Sequence, residues 1–585
     1  MGPYTKPIEK EILIFTKGGP IPEIGTGHLV RSVEIARKLV QLGGARITFL
    51  TSTKLELQSI VGDLRCNIYE YLENSSNPEY LSHLLATIKP EVSIIDMLDM
   101  PESDLLLVRK ESSVIFALDD TLEVNRKSID IAVNSLINAR QADFFGLDYL
   151  VLPGQLEEIL VKESPRKSIF INFGGYDHNR ISVQIVRILS KLNESNIEFN
   201  VVIGNSDDTF AELQAISFGH VNIRIHRSPW NFFSILANSD AALVSGGLVM
   251  HTSVYLGVPT YVVSQYEHQE LNAKKLSDHG AIVDFGRTDI VDLSLAVDRL
   301  VRDVKNTSEI SELARKGRLR IQENGLSRTS EILTIIEVLD WDSEFFRRRI
   351  ARIYPTKLTE SILSYSLEKA LNAQIDCLFF LCDLNDPTSI LLVEKAGFHL
   401  VDVRVTLSCE VLSILSTYQD SKIKSRIGNP EDLDELTEIS EDFFQLSRYY
   451  FDGNFPKDKC KEFYQDWITK SVSGNFDDIV FVAEIGEEIV GFITCKRASR
   501  NLGRIGLVGV KKEKTSIGIG NVLMDAAFCW FAEQDVASIE VVTQGRNIAA
   551  QRLYQKNGFK VQKSELWYHK WMKSTEPHID ESGKS

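Results

Sequence analysis

The sequence predicts an α/β chain: two doubly wound layers in tandem, followed by a further α/β unit built around a glycine-bearing strand–helix junction. Three observations carry this. Short apolar runs alternate with amphipathic helical stretches through the first 330 residues. The alternation comes as two successive blocks. After about residue 340 it gives way to longer strands and a hairpin.

In the first block EILIF (11–15), RITFL (46–50), VSIID (92–96), SVIFAL (113–118) and DIAVN (130–134) read as buried parallel strands. LVRSVEIARKLVQLG (29–43) sets apolar residues at three- and four-residue steps, as a helix covering such a sheet does. The second block repeats the plan with SIFINFGG (168–175), FNVVIG (199–204), NIRIH (222–226), AALVSGG (241–247) and TYVVS (260–264). Between them VLPGQLEEILVKESPRKS (151–168), with two prolines and mixed charge, reads as a hinge. Paired Rossmann-like domains over 1–155 and 156–338 follow, with ligand expected outside the carboxyl ends of the strands.

NGLSRTSEILTIIEVL (324–339) is expected to close the second domain as a helix. A half-domain over 339–422 holds WDSEFF (341–346), the strand CLFFLCD (377–383), a helix from Pro387 to Lys395 and the strand DVRVTLSCEV (402–411). The last unit, 423–573, opens with a hairpin, IVFVAEIGEEIVGFITCKR (479–497), turning at Gly-Glu-Glu. RIGLVGV (504–510) is a strand, GIGNVLMDAAFCWFAEQ (518–534) a helix, SIEVVTQ (538–544) a strand, NIAAQRLYQKNG (547–558) a helix and VQKSELWYHKW (561–571) a last strand. Residues 574–585 form a polar tail. PTSILLVEKAGFHLVDVRVTL echoes NIAAQRLYQKNGFKVQKSELWY, each a helix ending in Gly-Phe before a strand.

Composition narrows the class. With 585 residues, 43% hydrophobic, the chain can build several cores. Its net charge of −16 and pI near 5.3 argue against non-specific nucleic-acid binding. No apolar stretch reaches the roughly 18 residues that span a membrane, and the N-terminal apolar run is too short for a signal core. The seven cysteines are scattered and odd in number, with no CxxC pair, which suits reduced thiols in a cytoplasmic protein, without a zinc site or metal requirement.

The strongest chemical signal is Val508-Gly509-Val510, then Thr515-Ser-Ile-Gly518-Ile-Gly520, then a helix from Asn521. Glycines let backbone approach a pyrophosphate, and a helix N-terminus offers free N–H groups and the positive end of its dipole. RNIAAQRLYQKNGF (546–559) and a strand ending WYHKW follow. Together these resemble the GNAT N-acetyltransferases over about residues 424–572. The resemblance implies acetyl-CoA as cosubstrate. Val508 and Val510 would pair with its pantetheine arm, Gly518, Gly520 and Asn521 would hold the pyrophosphate, Asn547 would contact CoA, and Tyr554 would protonate the leaving thiolate. Thr515 departs from the family's usual Arg or Gln. For a general base, Glu484 and Asp452 qualify by residue type alone. WDSEFF, DVRVTL and YYFDGNFP (449–456) further resemble acetyltransferases of dTDP-4-amino-4,6-dideoxyhexoses, in which a degenerate half-domain precedes the catalytic one; this implies a sugar amine as acceptor.

Near the N-terminus, Gly25-Thr-Gly27-His28-Leu-Val-Arg31 opens a helix; the dipole there favours a neutral imidazole, able to act as a base. In the second block Ser245-Gly246-Gly247 ends a strand and starts a helix, a second N–H cradle, and Tyr266-Glu-His268-Gln269-Glu-Leu-Asn272 follows. With FGGYD (Gly174, Gly175) and LGVP, these motifs resemble the GT-B-type nucleotide-sugar hydrolases of pseudaminic acid biosynthesis over about residues 10–335. The resemblance implies water attack at the anomeric carbon with His28 as general base. Gly25, Gly27, Gly246 and Gly247 would stabilise the leaving pyrophosphate, and Arg31, Asp96, Gly174, Gly175, Thr252, His268, Gln269 and Asn272 fall among the substrate-binding positions. The family has Glu, Ser, Tyr and Asn where this chain has Thr252, Leu248, Leu98 and His268. Hydrolase, glycosyltransferase and binding module all remain open for this half. The combined expectation is a bifunctional enzyme acting on a UDP- or dTDP-linked amino sugar in nonulosonic acid or related glycan synthesis.

Overall fold

The structure is a computed structural model. It describes the chain apart from residues 1–7, 20–25, 43, 72–77, 98–99, 119–126, 136–141, 160–166, 176, 178, 193, 205–206, 412–421, 441–442, 516 and 573–585. Seven strands form the first sheet: β1 (Lys10–Thr16), β2 (Ala45–Thr51), β3 (Cys66–Glu70), β4 (Val92–Asp96), β5 (Val114–Leu118), β6 (Ile131–Asn134) and β7 (Phe144–Phe145). They run parallel in the order β3-β2-β1-β4-β5-β6-β7. Six more form the second: β8 (Lys167–Asn172), β9 (Ile197–Ile203), β10 (Ile223–Arg227), β11 (Ala241–Val244), β12 (Thr260–Ser264) and β13 (Val283–Arg287), parallel in the order β10-β9-β8-β11-β12-β13. Each order reverses beside its first strand, so both lobes are doubly wound and Rossmann-type, the GT-B-like pair that was expected. Continuous apolar runs such as VIFAL and VSIID are buried along their whole length, as strands covered on both faces must be. β3 and β13 escape the sequence reading because CNIYE and VDFGR are mixed in character and less buried.

The third sheet has ten strands: β14 (Ile336–Val338), β15 (Ile350–Ile353), β16 (Cys377–Asp383), β17 (His399–Glu410), β18 (Lys424–Ile427), β19 (Ile479–Ile485), β20 (Glu488–Arg497), β21 (Leu502–Val510), β22 (Ser538–Gln544) and β23 (Lys560–Trp571). Their order is β14-β15-β16-β23-β17-β22-β21-β20-β19-β18. The expected helix over 324–339 is only partly one: Leu326–Thr334 is helical, and the β-rich tail pairs instead as β14 with β15. The two echoing segments become helix Pro387–Lys395 with β17 and helix Ile548–Lys556 with β23. Their strands are exchanged. β23 lies between β16 and β17, and β17 lies between β23 and β22, all antiparallel. The half-domain and the last unit therefore share one sheet.

At that seam the His569 ring is fully buried, stacked on Phe379 with 4.1 Å between centroids, and its Nδ1 lies 2.5 Å from Asp452 Oδ2. Burial pushes the imidazole down to about 4 in spite of that carboxylate, so Nδ1–H donates to Asp452 from a neutral ring. The lobes are tied to the third sheet as well. One apolar core runs from Ile12, Ile14 and Phe116 through Leu333 into Ala351, Tyr365 and Phe380. The buried Lys10 ammonium donates to Ile336 O at 2.8 Å, and Asn501 Nδ2 donates to Tyr255 O and Ile321 O, each at 2.9 Å.

The His569 shift has a measurable consequence. The unfolded ring, at an ordinary 6.5, binds more protons than the folded one between that value and about 4, so stability falls as pH drops through this window. The thermal midpoint is expected to decline from pH 6.5 downward. His569→Asn, whose amide nitrogen falls where Nδ1 donates to Asp452, is expected to flatten the part of the slope above about pH 5, where carboxylates titrate little. An unchanged slope would show the ring is not held neutral.

Candidate active sites

The first site forms where β21 leaves β22. Their parallel pairing runs from Leu502–Ser538 to Ile505–Val541 and stops, although both strands continue. On its other edge β21 carries a bulge: Gly506 and Leu507 stand opposite the single residue Thr494, whose hydroxyl accepts from Leu507 N–H at 2.9 Å. Beyond it Lys511 N–H donates to Val490 O, so by antiparallel alternation Gly509 and Lys511 turn their backbone groups to β20. Val508 and Val510 then turn theirs into the splay, free to pair with an amide-bearing chain. Gly506 is required here: a Cβ would stand 2.5 Å from Thr494 Oγ1 and 3.0 Å from Asp477 Oδ2.

After β21 the chain turns through Gly518, at φ +103°, into helix Ile519–Glu533, whose N-terminus no side chain caps. Gly520 lets helix Ile548–Lys556 approach, because a Cβ would meet Leu553 Cδ1 at 2.8 Å. A cleft of about 1810 Å³ joins these parts, lined by Val508, Val510, Gly518, Gly520, Asn521 and Tyr554 among others. Uncapped N–H groups, open strand amides and a long cleft suit a pantetheine-linked diphosphate. Asn547 lines the cleft too, but its side-chain oxygen caps its own helix, accepting from Ala550 N–H at 3.1 Å. Tyr554 is buried, and burial pushes its phenol up, so it keeps its proton at neutral pH.

The second site lies at the carboxyl end of β4. His28 and Arg31 sit on the first turn of helix Gly27–Gln41 and converge on Asp96. Asp96 is fully buried; it lies 2.7 Å from His28 Nδ1, accepts from Ser32 Oγ at 2.6 Å, and forms an ion pair with Arg31. Burial pushes this carboxyl up, but Arg31 and His28 outweigh burial and hold it well below the usual carboxylate range. His28 Nδ1 also lies 2.9 Å from Arg31 Nη2, and in the tautomer whose Nδ1–H donates to the carboxylate Nε2 is the proton acceptor. Across from it, a Cβ on Gly175 would stand 3.8 Å from Thr26 Oγ1, so the loop after β8 reaches the start of this helix. Gly174 takes φ +88° in the same loop.

Gly247 is the uncapped N-cap of helix Leu248–Tyr255, with open space where a Cβ would be. Gly246 packs so closely on Gln269 that a Cβ would fall 2.4 Å from its carbonyl oxygen. Gln269 Oε1 accepts from Gln265 N–H at 2.9 Å; His268 is exposed and stacks on Tyr266, and Asn272 is half-buried. Thr252 is fully buried with its hydroxyl donated to Leu248 O, so it turns into its helix packing and not toward a ligand. Gly25 and Leu98 lie outside the described residues, while Gly27 has open space beside it.

Residues 433–559 match the acetyltransferase (GNAT) family model, and residues 137–323 match that of a protein family of unknown function, DUF354. The C-terminal unit is a GNAT acetyltransferase domain. The chain is similar to the spore coat polysaccharide biosynthesis protein SpsG of Bacillus subtilis, at 24% identity over 55% of this chain and 96% of that one. It is also similar to the dTDP-fucosamine acetyltransferase of Escherichia coli O6:H1, at 25% identity over 30% of this chain and 74% of the relative. Among solved structures, Acinetobacter baumannii MurG aligns at 16% identity and a TM-score of 0.42, covering 55% of this chain and 99% of that one. The chain spans from 56% to 96% of the length of curated relatives it matches.

Within the GNAT domain neither acid singled out by type lines the cleft. Asp452 is buried against His569 and Trp571, and Glu484 on β19 is held by Arg426 Nε at 2.7 Å. Two buried carboxylates that the sequence reading missed do line it. Asp477 accepts from Ser471 Oγ at 2.7 Å and Trp467 Nε1 at 3.2 Å. Asp402, on β17, is pushed up by burial although Arg546 stands 3.5 Å away. The half-domain helix Asp340–Phe346 adds Trp341 and Asp342, and Asp342 accepts from the buried Tyr449 hydroxyl. Arg448 lies over the rings of Tyr449 and Trp567, 4.4 Å from each centroid. The only sequence cue to Asp477 was NFDD just ahead of a strand.

The bulge offers a direct check. Gly506→Ala is expected to cost about 1–3 kcal/mol of stability through overpacking. It should also raise KM for acetyl-CoA, because the bulge sets which β21 amides face the splay. Melting curves and acetyl-CoA titrations would show wild-type values if the bulge were incidental.

Proposed function

We propose that this chain is a bifunctional nucleotide-sugar enzyme of pseudaminic, nonulosonic or related glycan synthesis. The GNAT domain transfers acetyl from acetyl-CoA to the amine of a UDP- or dTDP-linked amino-deoxyhexose. The N-terminal lobes then hydrolyse the nucleoside diphosphate from the sugar. The observation that carries the reading is the backbone of Val508 and Val510 turned into an unpaired splay beside an uncapped helix start. Aromatic and charged side chains beyond it, Trp341 and Arg448 among them, suit a sugar acceptor.

In acetyl transfer the neutral amine attacks the thioester carbonyl, a cleft carboxylate takes its proton, and Tyr554 protonates the departing sulfur. Burial keeps the phenol protonated at neutral pH, the form a proton donor must hold, while it raises the cost of giving that proton up. In hydrolysis water attacks the anomeric carbon as the C–O bond to the diphosphate breaks. His28 Nε2 takes the water's proton, and Asp96 stabilises the imidazolium that results. The uncapped helix starts at Gly27 and Gly247 receive the negative charge of the leaving group.

Acetyl-CoA and UDP- or dTDP-4-amino-4,6-dideoxyhexoses, followed by mass spectrometry for free thiol and free nucleotide, test both halves. Both products are expected. Tyr554→Phe should lower kcat for thiol release by about 10²-fold or more with KM for acetyl-CoA little changed. His28→Ala should abolish nucleotide release and leave acetylation intact. Nucleotide release only upon adding a sugar acceptor would make the N-terminal half a glycosyltransferase. No acetylated sugar with any of these acceptors would defeat the reading.

A further inference from the structure

One face of the third sheet looks toward the N-terminal half across a cavity of about 1790 Å³. The sheet supplies Arg352, Arg404 and Arg504, and the N-terminal half supplies Tyr149, Glu323 and Arg328. This cavity and the acetyl-transfer cleft have Arg404, Ala498, Arg504 and Val542 in common, so they meet at the foot of the splay, where β21–β22 pairing ends. A ligand long enough to span the junction has one end at the thioester and the other between the two halves.

The charges at the junction are unevenly satisfied. Arg504 donates to Glu540 at 3.0 Å and to Glu323 at 2.8 Å, and Arg328 donates to Glu323 at 2.6 Å. Arg352 and Arg404 are different: the Nε of each is buried with no hydrogen-bond partner. Glu565 stands 3.9 Å from Arg404 Nε, and its charge is already met by Lys563 at 2.6 Å. The Arg352 guanidinium lies over Tyr354 and Trp567, 4.8 and 5.2 Å from their centroids. A buried N–H without an acceptor is costly, and such groups mark places where a polar ligand or water belongs. Planar guanidiniums beside aromatic faces suit a phosphate joined to a planar base.

Resting on the amino-sugar reading above, we propose that this cavity is the nucleoside-diphosphate subsite of the acetyl acceptor. The sugar reaches past Arg404 and Arg504 to the thioester, Arg352 and Arg404 hold the diphosphate, and the N-terminal half forms the outer wall. The acetylated product is then released into a space that both halves enclose.

The test compares a nucleotide-linked 4-amino sugar with the methyl glycoside of the same sugar. Wild type is expected to prefer the linked acceptor. An Arg352→Gln, Arg404→Gln double variant should raise its KM about tenfold or more, as the loss of charge-assisted contacts implies. KM for the glycoside and for acetyl-CoA should stay within about twofold, and Arg352→Lys should retain part of the preference. An unchanged KM for the linked acceptor, with acetylation intact, overturns this inference alone. Failure of wild type to acetylate either acceptor overturns the amino-sugar reading beneath it. Should the double variant not melt cooperatively, UDP or dTDP titrated into wild type reads the same subsite. Inhibition competitive with the linked acceptor supports it, and absence of inhibition overturns it.

Discussion

The antiparallel pairing of β17 with both β22 and β23 is the constraint on which the C-terminal architecture depends. β22 loses β21 beyond Val541, and it stays extended because Arg404–Glu410 of β17 pairs along its other edge. The splay beside Val508 and Val510 thus exists because a strand from the half-domain holds one of its walls. The same strand carries Asp402 into the cleft and Arg404 to the junction with the interdomain cavity. On its far edge it pairs with β23, which brings His569 against Phe379 of β16 and Trp567 against the cleft. The half-domain is a working part of the acetyltransferase sheet even though no glycine-bearing cradle stands in its own sequence.

Two His–Asp pairs among the described residues stand in different surroundings. At Asp96 the carboxylate is fully buried, but Arg31 offsets the desolvation and the His28 ring keeps 13% of its surface open. Removing that arginine would strand a buried charge, a change that costs about 3–5 kcal/mol. At Asp452 the partner His569 is 1% exposed, and burial outweighs the carboxylate in setting its protonation. The second pair fastens β23 to the short helix Arg448–Asp452. The same two side chains at similar distance differ in their access to solvent.

What was legible in the sequence follows from what is local. Central strands of the lobes read clearly, since burial on both faces demands unbroken apolar runs. The glycine loop before Asn521 and the helix starts at His28 and Gly247 read clearly because backbone requirements are encoded by neighbouring residues. Strand exchange was not legible: the repeat showed in PTSILLVEKAGFHLV and NIAAQRLYQKNGFKV, but local periodicity is silent about which strand a strand will join. For the same reason Ile336–Val338 passed for the end of a helix until β15 gave it a partner. Asp402 and Asp477 were missed because the cleft gathers them from separate elements, and type alone pointed to Asp452 and Glu484, which other side chains already hold. Thr252 shows the converse, a position carried over from a family motif whose side chain here bonds within its own helix.

The third sheet also anchors the two N-terminal lobes. The first lobe is fastened to it by a shared apolar core and by the Lys10 ammonium, which burial pushes down to about 8 and which donates to Ile336 O. The second lobe is fastened through Asn501, whose amide is buried between Tyr255 O and Ile321 O. Moving either lobe off the sheet would leave buried donors and acceptors unpaired, at about 1–3 kcal/mol for each group, besides exposing the apolar core. Large opening of one lobe against the other is therefore disfavoured by the contacts each lobe makes with the third sheet. The acetyltransferase sheet is a common base for the two lobes, whose loops approach each other at Thr26 and Gly175 near His28. In the bifunctional reading, fusion of the two units would raise the local concentration of an intermediate and also hold both lobes on one sheet.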